Sequence, residues 1–169
     1  MSSEPELVKV GLIADTQPKI YGAQATGCSP ISTAQKAGLD YFKPVKADTI
    51  AKSLAIGTPA DGFYALKVMR ETAAAAEDVT DDEIRDAIKL LAETEGIFAE
   101  TAGGVTVGVA KKLIASGKIP KNDSAVICVT GNGLKTLDAV QNHCGKPREI
   151  KPSLREFEAL LAHEEKVNA

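Results

Sequence analysis

The chain has 169 residues, 44% of them hydrophobic and 25% charged, and carries a net charge of −3. This is the size and composition of one ordinary globular domain, and its interspersed acids and bases argue against a nucleic-acid stripe or a polybasic membrane patch. No run approaches the ~18 apolar residues of a membrane helix, and the opening MSSEPELVKVG lacks the apolar core of a signal peptide, so the expectation is a cytoplasmic protein.

In chain order, residues 18–24 (PKIYGAQ) have strand character. SPISTAQKAG (29–38) then reads as a helix, with Ser29 as N-cap, Pro30 at the first helical position and Gly38 past its end. Residues 48–56 suggest a short helix closed by Gly57, and 63 to about 75 another. The clearest helix covers 81–94: Thr80 and Glu83 stand at capping-box spacing, and Ile84, Ala87, Ile88 and Leu91 share one face before Gly96 ends it.

IFAE (97–100) reads as a short strand. The helix over 103–117 is apolar on more than one side and should be largely buried; Gly117 and Pro120 terminate it. The continuous apolar run over 124–129 is the pattern of a parallel strand covered on both faces. Ser153 and Glu156 repeat the capping-box spacing ahead of a terminal helix. Strands alternating with helices predict an α/β fold with an open, mostly parallel sheet and helices on both faces. Only three strands are evident, so this sheet reads as part of a larger one.

The cysteines, Cys28, Cys128 and Cys144, show no CxxC spacing and are expected to be free thiols, with Cys128 a small buried hydrophobe in the apolar run. The adjacent His143 and Cys144 lack a second ligand pair and do not make a metal site. His163 is expected in solvent on the terminal helix.

The apolar run ends in Thr130 and a turn, Gly131-Asn132-Gly133, that bares backbone N–H groups. A P-loop is excluded, because Leu134 separates Gly133 from Lys135 and no glycine sits five residues earlier. A dinucleotide fingerprint lacks its third glycine, Thr136 standing in that place. An ordinary turn, with Thr130 satisfying local backbone groups, remains a reading of its shape. A second feature is Glu100-Thr101-Ala102-Gly103-Gly104, a carboxylate at a strand end followed by a tight helix entry. Ligands of parallel sheets bind beyond the carboxyl ends of the strands, so Glu100 and Thr130 can converge on one site beside the helix N-terminus. The alternative is a solvated loop acid and glycines that only permit close packing.

GLIADTQPKIYGAQATGCSPI, TIAKSLAIGTPADG, VTDDEIRDAIKLLAETEGIFAETAGGVTVGVAKKL and VTGNGLKT resemble, in order and spacing, segments of the threonine synthases. Those belong to the pyridoxal-phosphate enzymes that also include threonine dehydratase and the tryptophan synthase β chain. The resemblance covers about residues 10–140. It implies that the chain corresponds to part of the large domain of that fold (1–140), with 141–169 as a C-terminal extension bearing a terminal helix.

It also implies that Thr130 hydrogen-bonds the pyridine nitrogen of pyridoxal 5'-phosphate, that Gly131 and Gly133 let the backbone approach the ring, and that Glu100 and Thr101 lie on the same side. Ala55, Ile56 and Gly57 would line a substrate-side wall. The implied reaction converts O-phosphohomoserine and water to threonine and phosphate. Thr136 stands where the family usually has aspartate, and Thr58 where it often has asparagine. The family's Schiff-base lysine motif and its phosphate-binding loop have no counterpart in this sequence. Lys52, Lys67, Lys111 and Lys112 read as solvated helix lysines. The resemblance therefore implies a C-terminal portion, inactive alone, with a small-molecule substrate and with an N-terminal half chain or a homo-oligomer as partner. A metabolite-binding or regulatory module derived from the family, and part of a hydroxyamino-acid dehydratase, are the alternatives.

Overall fold

The computed structural model describes residues 4–14, 18–143 and 149–167, with side chains from residue 6 to 162 over those stretches. A short helix, α1 (Glu4–Lys9), precedes the first strand, β1 (Gly22–Ala25). Helix α2 (Pro30–Lys36) follows, with Pro30 at its first turn. The amide oxygen of Gln24 accepts from the N–H groups of Ile31 and Ser32 at 2.9 and 2.8 Å. These are N–H groups that the helix itself leaves unpaired. A β1 side chain thus does the capping expected of Ser29, which makes no side-chain cap.

Of the helix expected over 48–56, only a 3-10 turn at Lys52–Leu54 forms. The next helix, α3 (Gly62–Glu71), ends earlier than expected and releases the chain into a second strand, β2 (Ala76–Val79). The sequence AEDV hides that strand behind two acids. Their charges are met by tertiary partners: Asp78 accepts from Thr26 Oγ1 (2.7 Å), Ser32 Oγ (3.0 Å) and Lys36 Nζ (2.7 Å), and Glu77 pairs with Lys36. Burial disfavours both carboxylates, but the Lys36 hydrogen bonds outweigh it and hold them below their usual range.

β1 and β2 pair in parallel, Gly22 opposite Ala76 through Ala25 opposite Val79. Alternation along the strands sends Ala23, Ala25 and Val79 into a core with helices α4 (Asp81–Glu95) and α5 (Thr101–Ala115). Ala76 points the other way, into a smaller core with Ala34 of α2 and Leu66 and Met69 of α3. Helices therefore cover both faces of a parallel sheet, as the sequence implied. The full capping box of Thr80 and Glu83 opens α4, and Gly96, at φ 68°, closes it. α4 packs chiefly on α5. There Gly104 lies so close to α4 that a methyl would stand 2.8 Å from the Ile84 carbonyl oxygen.

Four further expectations need correction. Residues 97–100 make only a single antiparallel bridge, Ala99 with Asn132, in place of a strand. Residues 124–129 join no ladder, and they are largely exposed, Val126 at 94%. A strand covered on both faces needs neighbours on its edges, and the described residues furnish none. Cys128 is consequently exposed, whereas Cys28 is buried, with its thiol pushed up by burial. Lys112 is also no free surface lysine: it donates to Glu83 and to the Asp78 carbonyl.

The terminal helix forms as α6 (Leu154–Val167), with Glu156 N–H donating to Ser153 Oγ at 3.3 Å. Cys144 and the His163 side chain lie outside the described residues, so the expectations for them go untested. Among the described residues no helix is long and apolar enough to cross a membrane.

Candidate functional site

The orientation of α5 decides what its N-terminus meets. Lys112 reaches the Asp78 carbonyl while Gly108, one turn earlier, packs on Val79, so α5 runs opposite to the strands. Its N-terminus, at Glu100 and Thr101, thus lies toward the carboxyl end of the sheet, the end where ligands of parallel sheets gather. After α5 the chain turns at Lys118, whose carbonyl accepts from Tyr21 Oη (2.9 Å). It then travels back along α5 until Val129 rests near Gly103.

At that point two loops are clasped together. Glu100 N–H donates to the Gly131 carbonyl and Gly133 N–H to the Phe98 carbonyl, each at 2.9 Å. Side chains fill the space beside the two glycines. A methyl at Gly131 would stand 2.8 Å from Glu100 Cγ and nearer still to its carboxylate; one at Gly133 would stand 2.6 Å from the Phe98 ring. The glycines are needed because Glu100 and Phe98 occupy the places their side chains would take. Neither has a positive φ, so space and not backbone strain selects them.

Glu100 is the N-cap residue of α5 but does not cap with its side chain. Its carboxylate, 6% exposed, turns to Lys135 Nζ at 2.8 Å, while Lys135 itself is 63% exposed. The capping role goes to Thr136, whose Oγ1 accepts from the N–H of Thr101 at 3.2 Å. Thr101 is fully buried, and its Oγ1 has no hydrogen-bond partner among the described residues. Thr130, at the end of the apolar run, is exposed. Asn132 completes the turn, its Oδ1 accepting from Leu134 N–H at 2.9 Å ahead of the 3-10 turns at Gly133–Ala139.

The structure therefore gathers Glu100, Thr101, Thr130, Gly131 and Gly133 in one place. It does not bring Ala55, Ile56 and Gly57 to them among the described contacts. Those three follow the Lys52–Leu54 turn, on which α5 packs. Gly57 is held against Val45, its carbonyl accepting from Val45 N–H at 3.0 Å, and Ile56 is 57% exposed. Lys135 and Phe98 were not singled out as partners of the turn. A buried carboxylate needs a cation, so the lysine just past the glycines was the available signal; for Phe98 there was none.

Two parallel strands enclosed by helices, with a glycine turn clasped to a helix entry at their carboxyl end, define an α/β protein with its candidate site at that end of the sheet. Maize serine racemase has a similar fold (TM-score 0.54, 24% identity over 85% of this chain and 46% of that one). So does serine racemase from Dictyostelium discoideum (TM-score 0.52, 22% identity over 77% and 39%). That likeness speaks to fold alone. Residues 8–131 match the family described as "Pyridoxal-phosphate dependent enzyme", and the chain belongs to that family. Pyridoxal phosphate is the cofactor the membership implies.

Threonine synthase from Methanocaldococcus jannaschii is 37% identical over 150 residues, 88% of this chain. That from Methanosarcina acetivorans is 36% identical over 143 residues, 84% of the chain. That from Halalkalibacterium halodurans is 38% identical over 146 residues, 86% of the chain. The chain spans only 37%, 35% and 39% of the lengths of these three relatives.

Proposed function

We propose that this chain supplies the pyridine-nitrogen side of the cofactor site in a threonine synthase-like enzyme, which converts O-phosphohomoserine and water to threonine and phosphate. The lysine that anchors the cofactor covalently would come from polypeptide beyond these 169 residues. The observation carrying the reading is the clasp of Glu100 on Gly131, which fixes the turn beside the N-terminus of α5 and leaves Thr130 exposed. Residues 1–140 form the enzyme-like domain in this reading and 141–169 an extension, and the enzyme is cytoplasmic.

The residues present fit one end of the cofactor. Thr130, exposed just before the glycine turn, offers a neutral hydroxyl, and Thr101 Oγ1 is a buried oxygen without a partner among the described residues. The bound cofactor would supply an electron sink for chemistry at the substrate's α and β carbons. The Thr130 hydroxyl would hold the ring nitrogen without the charge that stabilises its protonated form, and so would temper that sink. Glu100, tied to Lys135, keeps Gly131 and therefore Thr130 in position. The positive end of α5 raises the potential around the site.

The test mixes this chain with the segment of the M. jannaschii threonine synthase that it does not match, and adds pyridoxal phosphate and O-phosphohomoserine. Phosphate release by the mixture, abolished or strongly reduced by Thr130→Ala and absent from the chain alone, is the expected result. Release by the isolated chain refutes the reading. Saturable cofactor binding without turnover points to a binding module, and a keto-acid product to a dehydratase.

A further inference from the structure

Asn132 has no task in the proposed function, yet it is the one asparagine of the chain that precedes a glycine. Asn122 precedes Asp123, Asn142 precedes His143 and Asn168 precedes Ala169. Asn132 is exposed, and its Oδ1 accepts from Leu134 N–H at 2.9 Å, so its carboxamide folds over the intervening Gly133 peptide. This is the local turn that asparagine favours. It holds an electrophilic carbon, polarised by the same hydrogen bond, beside the Gly133 nitrogen. Glycine has no Cβ to obstruct an approach between the two.

The nucleophile, by contrast, is restrained. Gly133 is buried, and its N–H donates to the Phe98 carbonyl at 2.9 Å. The Phe98 ring fills the space beside its Cα. While that bond stands, the nitrogen keeps its proton and the peptide cannot turn toward Asn132 Cγ.

We infer that Asn132–Gly133 is a self-modifying site gated by the clasp. When the Gly133–Phe98 bond opens, the Gly133 nitrogen gives up its proton to solvent and attacks Asn132 Cγ. The new carbon–nitrogen bond closes a five-membered imide, and the bond to Nδ2 breaks, releasing ammonia. Water then adds to one of the two imide carbonyls and reopens the ring as aspartate or as isoaspartate. Water is the co-reactant, and Asn132 is open to it. Neither cofactor nor substrate takes part, so the site is independent of the proposed function.

The two products differ in consequence. Aspartate keeps an oxygen for Leu134 N–H. Isoaspartate routes the main chain through its β carbon and lengthens it by a methylene between Gly131 and Gly133. The bonds from Glu100 N–H to the Gly131 carbonyl and from Gly133 N–H to the Phe98 carbonyl lie on either side of that insertion. Both cannot survive it, so the clasp opens for good.

The test incubates the whole chain beside a synthetic peptide of residues 122–135, at neutral pH in heavy-oxygen water. Ammonia release is followed, and the tryptic fragment ending at Lys135 is sequenced by mass spectrometry, with isoaspartate read from its fragmentation. Label is expected at position 132 and not at Asn122 in the same fragment. The peptide is expected to convert at least about tenfold faster than the folded chain, which corresponds to an opening free energy of about 1.4 kcal/mol or more. Phe98→Ala, which removes the ring packed on Gly133, should speed conversion by the same factor as it speeds exchange of the Gly133 amide. Urea below the unfolding transition should do likewise. Asn132→Ser, which leaves a hydroxyl for the turn, should take up no label there. Equal rates in chain and peptide overturn the gate. Conversion that stays flat, or absent, while the Gly133 amide exchanges faster overturns the attack by that nitrogen.

Discussion

Placing a methyl on Gly131 isolates the clasp that organises the candidate site. The added carbon would stand 2.8 Å from Glu100 Cγ, where ordinary contact begins at 3.4 Å, so the side chain must retreat by at least 3.4 − 2.8 = 0.6 Å there and by more at its carboxylate. Glu100 is 5% exposed and has little room. Its 2.8 Å pair with Lys135 or the backbone bond to the Gly131 carbonyl must give.

Overpacking of this kind costs about 1–3 kcal/mol. With Glu100 truncated to alanine the obstruction is gone and Gly131 has no positive φ. Gly131→Ala should then be neutral, or stabilising by about 0.4–1 kcal/mol through the unfolded chain. Urea unfolding of the wild type, both single variants and the double variant gives the coupling directly. We expect the effect of Gly131→Ala to swing by at least about 1 kcal/mol between the two backgrounds. Thermal midpoints should follow at about 2–4 °C per kcal/mol for a chain of this size. An equal cost in both backgrounds would show that Glu100 does not fill the space beside Gly131.

Gly104→Ala would push a methyl against the Ile84 carbonyl and the Ile88 side chain, and should cost about 1–3 kcal/mol in urea unfolding. Thr80→Ala removes the hydroxyl that accepts from Glu83 N–H and should lower stability by about 1 kcal/mol, with α4 amides exchanging faster. Glu77, Asp78 and Glu83 are each held below their ordinary range, burial being outweighed by hydrogen bonds from Lys36 for the first two and from Lys112 for the third. A depressed carboxylate contributes its stability above the unfolded-state value and loses it as pH falls through the folded-state value. Stability should therefore decline below about pH 4. Asp78→Asn should lower stability near neutral pH and flatten that acid decline; an unchanged slope would show that Asp78 does not carry it.

Elements whose signals were local could be read directly. Thr80, Glu83 and Gly96 bound α4 where their spacing placed them, because capping chemistry is settled within one turn of chain. The α/β class followed from alternation; Glu100 does meet the glycine turn, although neither 97–100 nor 124–129, on whose ends that expectation rested, forms a strand. What escaped depended on distant partners. β2 could not be seen because Glu77 and Asp78 are tolerable in a strand only with Lys36, Thr26 and Ser32 around them. Gln24 displaced Ser29 as the cap of α2 by reaching across from the sheet. The 124–129 run reads as an interior strand by composition, yet the described chain leaves it uncovered.

The two flanks of Thr130 differ in how finished they are. Behind it, the clasp of Glu100, Lys135 and Gly131 is already in place; ahead of it, residues 124–129 make no backbone hydrogen bond among the described residues. Backbone amides should therefore exchange slowly at Glu100 and Gly133, whose N–H groups are bonded across the two loops, and fast over 124–129.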